Sequence, residues 1–194
     1  MSEPRYEFRI FADDLCEPAS RLQRLVSGIG LPDVQHAEDL YIFSEACDDH
    51  IFKIRNETLD VKRLVKRYAA LQQWVALAKY PFPLDGGALL AHFFAPIRVD
   101  PPATLLPSYE LAAFTGMVTS HPGLHALRLE KERRQWRIGS VICEIDSVTV
   151  GAKTLKSICC EATDPEALKH LIERLGIGDM KNRSYLDLLQ DFPD

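Results

Sequence analysis

The sequence predicts an α+β protein built on a closed or nearly closed antiparallel sheet with a polar interior and helices packed outside. Three observations lead there. Several stretches alternate charged and apolar residues with a period of two, the period of a strand. Glu7 and Arg9 alternate with Tyr6, Phe8 and Ile10; Lys53 and Arg55 with Phe52 and Ile54; Asp60 and Lys62 with Leu59 and Val61. Further on, Lys131 and Arg133 share one strand face and Glu144 and Asp146 share a face of the returning strand, while Val141, Cys143 and Ile145 point away. Finally, each charged face needs water or a charged partner, because an unpaired buried charge is costly. A single hairpin of this kind is ordinary half-exposed surface. A series whose charged faces converge makes a barrel with a polar bore, the inverse of a small barrel filled with apolar side chains.

The elements follow in order. Residues 5–11 read as the first strand. Residues 17–27 read as a helix with the stripe Leu22, Leu25 and Val26, and Gly28 is its expected stop. Leu40 to Ser44 reads as a strand, Cys47-Asp48-Asp49-His50 as a turn, and Ile51 to Arg55 as the next strand. Thr58 to Leu64 returns after Asn56-Glu57, with a helical alternative over 60–70, where Arg63, Lys66 and Arg67 also suit a helix. Trp74 to Ala78 reads as a short strand. The stretch 80–125 changes character: Tyr80-Pro81-Phe82-Pro83 and Asp100-Pro101-Pro102 break the chain, and Ala88–Phe94 and Tyr109–Val118 read as helical. It is too short to own a core and is predicted to be a helical insertion in a single domain spanning 1–194. After the hairpin comes a strand near Leu155 to Ala162. A helix follows, with Thr163 as N-cap, Glu166 closing a capping box, the stripe Leu168, Leu171, Ile172 and Leu175, and Gly176 as its stop. Ser184 to Leu189 is expected to dock as a short final helix.

Composition narrows the classes. Of 194 residues, 26% are charged and 46% apolar, a globular balance. The net charge of -5 argues against a general nucleic-acid binder but leaves room for a local basic pocket. Five cysteines without CxxC spacing read as reduced thiols of a cytoplasmic protein. No apolar run reaches membrane-spanning length, so no membrane partner is expected. The oligomeric state stays open, a homodimer included.

The converging side chains suggest a chemistry. A compact polyanion such as triphosphate needs Lys and Arg donors from several walls, and Arg9, Lys53, Arg55, Lys62, Lys131 and Arg133 are the candidates. Its cleavage needs a divalent cation such as Mg²⁺ or Mn²⁺ on carboxylates, for which Glu7, Glu144, Asp146 and Glu161 are the candidates. Taken singly, each has a plainer reading. Glu7 and Arg9 could form a surface pair, Glu144 could simply neutralise Arg133, and Lys62, Arg63, Lys66 and Arg67 could be a solvated face. Cys143 and Cys160 read as core, and Trp74 and Trp136 as packing residues.

The order of these pieces resembles the CYTH, or triphosphate tunnel metalloenzyme, superfamily. Arg5-Tyr6-Glu7-Phe8-Arg9 looks like its opening Glu-x-Glu-x-Lys strand. Lys53-Ile54-Arg55, Leu59-Asp60-Val61-Lys62 and Lys131-Glu132-Arg133 look like its basic strands. Ile145-Asp146-Ser147-Val148 with Gly151, the run Ser157 to Glu161 into the helix, and Ser184-Tyr185-x-x-Leu188-Leu189 look like its closing elements. The resemblance covers most of the chain except 80–125. It implies a barrel of about eight strands forming a triphosphate tunnel and a metal-dependent triphosphatase. Its alternatives are a decayed sensor or scaffold that binds polyphosphate or nucleotide without turnover, and adenylate cyclase-like cyclisation. The chain departs where Arg5 replaces the first metal-binding Glu, Arg9 replaces a Lys, and Ser157, Cys159 and Glu161 leave one carboxylate on the last strand.

Overall fold

The alternation becomes a barrel because each charged face turns inward and each apolar face finds a cover. The computed structural model describes residues 3–192. Strand β1 (Arg5–Ala12) leads through helix α1 (Cys16–Val26) to the meander β2 (Asp33–Phe43), β3 (His50–Arg55), β4 (Thr58–Tyr68) and β5 (Leu71–Pro81). A segment follows with β6 (Leu84–Asp85), α2 (Gly86–Leu89), a π turn (Leu90–Phe94), α3 (Ala95–Ile97), β7 (Ser108–Tyr109) and α4 (Leu111–Ser120). The chain then returns as β8 (His125–Ile138), β9 (Val141–Val150) and β10 (Lys153–Ala162), and ends with α5 (Pro165–Leu175) and α6 (Tyr185–Leu189). Eight strands close antiparallel in the order β1-β10-β9-β8-β2-β3-β4-β5.

Several expectations shift. Residues 60–68 are strand, because β5 pairs along them and β3 as far as Arg63, with irregularities at Val61/Lys62 and Leu64/Lys66, and Ala69 and Ala70 make the turn into β5. Strands β2 and β5 run well past the short stretches predicted. Their outer ends are polar, and their cross-strand hydrogen bonds, not their hydropathy, keep them extended. The N-cap of α5 is Asp164, one residue after Thr163. Its side chain accepts from the Glu166 backbone N–H, and Pro165 takes the first helical position, where a missing N–H costs nothing. The capping box forms instead on α6, between Ser184 and Asp187. Gly176 does stop α5 in the left-handed region, at φ 67°, whereas α1 ends through Ser27 in right-handed geometry.

Three apolar clusters hold the layers together. Helices α1 and α5 cover one outer wall, where Leu22, Leu168, Leu171 and Leu175 meet Phe8, Cys143, Ile145 and Cys160. The segment between β5 and β8 covers another, with Phe93, Phe94, Ile97 and Phe114 on Phe52, Ile54, Leu59 and Val61. The third cluster lies inside one end of the barrel. The inward faces of β2, β8, β9 and β10 turn apolar there (Tyr41, Phe43, Leu129, Val148, Val150, Leu155), and Tyr185, Leu186, Leu188 and Leu189 of α6 pack onto them. Each fully buried Leu or Phe in these layers contributes about 1.5–3 kcal/mol. The bore is therefore a charged chamber with an apolar floor. Among the described residues, no helix is long and apolar enough to cross a membrane.

Candidate functional site

Register places the inward residues side by side. Glu7 lies opposite Glu161 and Arg9 opposite Cys159 across β1 and β10. Arg133 lies opposite Asp146 across β8 and β9, and Lys53 opposite Asp60 across β3 and β4. Two groups result, one on each side of the chamber.

The first is centred on the guanidinium of Arg9, a residue only 4% exposed. It donates to Asp146 Oδ2 at 2.8 Å, Glu144 Oε2 at 3.1 Å, Ser157 Oγ at 3.2 Å and Glu7 Oε1 at 3.3 Å. Arg133 approaches the same carboxylates, 3.4 Å from Glu144 and 3.8 Å from Asp146. So Glu144 is Arg133's ion-pair partner, as its plainer reading had it, and Arg9's as well. Buried Asp146 Oδ1 and Arg133 Nε have no hydrogen-bond partner.

The second group is centred on Asp39, which the sequence reading missed. Its carboxylate is fully buried. It accepts from Arg55 at 2.5 and 2.6 Å and from Lys131 Nζ at 2.7 Å. Lys131 also donates to the Tyr41 hydroxyl at 2.7 Å and lies 3.8 Å from the Tyr185 ring centre. Arg9 Cζ lies 4.8 Å from the same ring centre, and Tyr185 stacks on Tyr41 with centroids 5.2 Å apart. Tyr185 of α6 thus floors both groups, in cation–π contact with each. Lys53 is held more loosely, 3.9 Å from Asp60, which Lys79 approaches at 3.7 Å.

The chamber opens through a cavity of about 260 Å³ lined by Arg5, Glu7, Lys62, Trp74 and Glu161, with Glu3 and Ala76. Arg5 caps Glu161 at 2.9 Å on this rim. A larger concavity, about 460 Å³, lies along β2, β8 and β9 among residues such as His36, Glu38, Glu130 and Glu132, and Lys131 borders it. Every predicted site residue therefore points into the barrel: Glu7, Lys62 and Glu161 at the mouth, the others deeper. What the sequence concealed is how far the carboxylates balance the cations. Asp39 and Asp60 turn the expected cationic bore into one that is nearly neutral.

Burial and pairing set the protonation. Burial pushes the Lys131 ammonium down to about 7, Asp39 opposing it, and Lys53 down to about 8. Burial also pushes against the Asp39 anion, but the Arg55 hydrogen bonds and the Lys131 and Lys53 charges outweigh it and hold Asp39 well below the usual carboxylate range. With Asp39 held ionised, Lys131, driven down by its own burial, is the group that yields its proton. In the adjacent pair, Asp146 is pushed up by burial and by Glu144, against Arg9. Glu144 is drawn down by Arg9 and Arg133 despite its own burial.

The carboxylates fit a divalent ion in donor type. All are oxygen ligands, Glu7 and Glu161 face each other at the mouth, and Asp146 Oδ1 is an unsatisfied buried acceptor. Arg9 already occupies the space between Glu7, Glu144 and Asp146, so a cation among them has to share them with a guanidinium.

Neither a family model nor a curated protein matches the sequence. Solved structures do match. A Hippeastrum adenylyl cyclase candidate with a dominant triphosphatase activity superposes with a TM-score of 0.52 at 14% identity, over 96% of this chain and 95% of its own. A Bacillus halodurans adenylate cyclase candidate gives 0.52 at 18% identity, over 100% of both chains. A conserved hypothetical protein from Pyrococcus furiosus gives 0.53 at 16% identity, over 96% and 99%. This chain shares the fold of these three proteins, and its closed eight-stranded antiparallel barrel is the architecture that the resemblance implied.

Proposed function

We propose that the chamber binds the triphosphate group of inorganic triphosphate or of a small organic triphosphate, and cleaves a phosphoanhydride bond with Mg²⁺ or Mn²⁺. The observation that carries this reading is the convergence of Arg9, Lys53, Arg55, Lys131 and Arg133 from three strands of one closed barrel, with Lys62 of a fourth at its mouth. A protein gains nothing in stability from burying so much paired charge. A chain of phosphates, whose oxygens point in every direction, is the ligand such walls fit. The Hippeastrum protein of the same fold, with its dominant triphosphatase activity, supports the choice of chemistry.

The residues divide the work. Lys53 and Lys131 bind phosphoryl oxygens and take up full charge as they do. Arg55 and Arg133 each turn from one carboxylate to the ligand, and Asp39, Glu144 and Asp146 keep them aimed. The α6 floor excludes water and strengthens each contact. Glu7, Glu161 and Asp146, with Glu144, would hold the divalent ion, which supplies charge neutralisation to the leaving phosphate. The insertion acts with the barrel as one domain, and the free thiols suit a reducing, cytoplasmic setting.

A second reading has its own support, binding without turnover, because Arg9 already sits on the carboxylates a metal needs. One set of assays separates the two. Phosphate release from tripolyphosphate is measured for wild type, Glu7→Ala and Arg5→Glu, with and without Mn²⁺, beside calorimetric binding to wild type and Arg55→Ala. An enzyme releases phosphate only with Mn²⁺ and loses activity on Glu7→Ala. Saturable binding with no release assigns a non-turnover protein. Absence of binding at millimolar tripolyphosphate overturns both.

A further inference from the structure

Outside the chamber, the connection between β2 and β3 gathers three different metal-ligand types. Cys47 Sγ, Asp49 Oδ1 and His50 Nδ1 lie within 4.8 Å of one another. The thiol is 3.8 Å from Asp49 Oδ1, and His50 Nδ1 is 2.9 Å from the same oxygen. A tetrahedral ion with metal–sulfur bonds of ~2.3 Å and metal–nitrogen or –oxygen bonds of ~2.0–2.1 Å needs ligand-to-ligand separations of about 3.3–3.6 Å. The two separations to Asp49 Oδ1 are within about half an ångström of those values, and the thiol and the imidazole, within 4.8 Å of each other, have to close by side-chain rotation alone.

The surroundings favour a cation. Arg98, at the end of α3 in left-handed geometry, pairs with Asp48 at 2.8 Å and with Asp49 Oδ2 at 2.8 Å. Two carboxylates thus share one guanidinium, which leaves Asp48, Asp49 and Arg98 together with one negative charge in excess. A divalent ion and the thiolate it creates bring that sum to zero. Asp49 Oδ2 is taken by Arg98, so Oδ1 is the oxygen left to face Cys47 and His50, and Arg98 orients the ligand in the manner of an outer-shell partner. His50 is steadied from behind by stacking on Phe52 at 6.1 Å. The side chains of His50 and Asp49 keep 13% and 34% of their exposure, which gives an ion a way in to the buried sulfur.

A plainer reading competes. Cys47 donates to the Pro96 carbonyl at 3.4 Å, and Asp49 links His50 to Arg98, so the trio could simply lock the turn to the insertion. That reading accounts for Asp49. It gives no reason for a thiol and an imidazole to meet on one carboxylate oxygen.

We propose that Cys47, Asp49 and His50 form a site for a thiophilic divalent transition metal of the zinc or cobalt kind, with solvent in the fourth position, that fastens the β2–β3 connection to the insertion. The mixed sulfur, nitrogen and oxygen donors exclude Mg²⁺ as the preferred ion, and the site is independent of the chamber chemistry. The test is Co²⁺ titration of the reduced, metal-free protein. One equivalent is expected to produce a thiolate-to-cobalt charge-transfer band. Zn²⁺ should displace it, and a hundredfold excess of Mg²⁺ should not. Cys47→Ser should abolish the band, and His50→Gln and Asp49→Asn should weaken binding at least tenfold. Zn²⁺ should raise the melting temperature of wild type and not of His50→Gln, a partly exposed change that keeps the test decisive if Cys47→Ser does not fold. No band in wild type, a band that survives in Cys47→Ser, or equal zinc stabilisation of wild type and His50→Gln overturns the proposal.

Discussion

Arg55 grips Asp39 with two parallel hydrogen bonds, Nε to Oδ1 at 2.5 Å and Nη2 to Oδ2 at 2.6 Å. That fork, with Lys131 on the same carboxylate, fixes two of the cations assigned to phosphate. Asp39→Asn removes the buried charge that both depend on. Breaking a buried pair from one side costs about 3–5 kcal/mol, so the variant should melt well below wild type. The freed Arg55 should bind tripolyphosphate more tightly, and the ligand should recover a larger part of its stability. Thermal melts with and without tripolyphosphate check both signs; a variant as stable as wild type would deny Asp39 its role.

Arg9 gives the opposite experiment. Arg9→Ala leaves Glu7, Glu144 and Asp146 together without their shared cation. It should lose about 3–5 kcal/mol in metal-free buffer. Mn²⁺ should then stabilise it more than it stabilises wild type, because the ion no longer competes with a guanidinium. Equal Mn²⁺ shifts in the two proteins would show that these carboxylates are not the metal's ligands.

Protonation of Lys131 and Lys53 sets two pH dependences of opposite sign. Burial lowers their folded values to about 7 and about 8, against an unfolded lysine near ~10.4. Between those limits the unfolded chain binds more protons, so this contribution to stability rises with pH and is lost as pH falls toward 7. Phosphate binding needs the charged form, so tripolyphosphate affinity should fall from pH 7 to pH 9, with proton uptake on binding. Calorimetry in buffers of different ionisation enthalpy reads that uptake. Lys131→Met should flatten the profile over this range, and a profile unchanged in the variant would rule Lys131 out of the binding step.

The floor of the chamber can be probed from α6. Leu188 is 1% exposed, and Leu188→Ala should cost about 2–5 kcal/mol as a large-to-small core change. Tyr185→Phe removes only a long 3.5 Å hydrogen bond to Asp146 and keeps the ring under Lys131 and Arg9. It should change stability by about 1 kcal/mol or less. Denaturant melts of the two variants should therefore separate widely.

Much of this site could be read from spacing. The i, i+2 alternation placed Arg9, Lys53, Arg55, Lys131, Arg133, Glu144 and Asp146 on shared faces, and a closed sheet leaves those faces nowhere to go but inward. The opposing carboxylates were harder to see. Asp39 lies in a stretch whose preceding residues Asp33, Gln35, His36 and Glu38 are themselves polar and mostly exposed, so no alternation marks it. Strand β2 exists there because β8 pairs along its whole length, a contact between residues far apart in sequence. Tyr41 carries no signal either, and Tyr185 entered only as part of the closing Ser184-Tyr185-x-x-Leu188-Leu189 piece, since an aromatic that seats a buried cation and one that fills a core look alike in sequence. Cys159 was correctly set on the Glu161 face, but only the register opposite Arg9 shows that its thiol belongs to the chamber.

The order of elements along the chain has a consequence for biosynthesis. Helix α6 leaves the ribosome after all eight strands. Until it docks, the barrel can close only as a pipe whose inner ion pairs are soaked by solvent at both ends. Chaperones, nascent-chain proteolysis and any polyanion present at that moment therefore meet a different molecule from the finished one: wetter, with looser charges, and open to ligands threading from below. A fusion or truncation that keeps Tyr185 from seating would hold the protein in that juvenile form, with every candidate ligand-binding residue still in place.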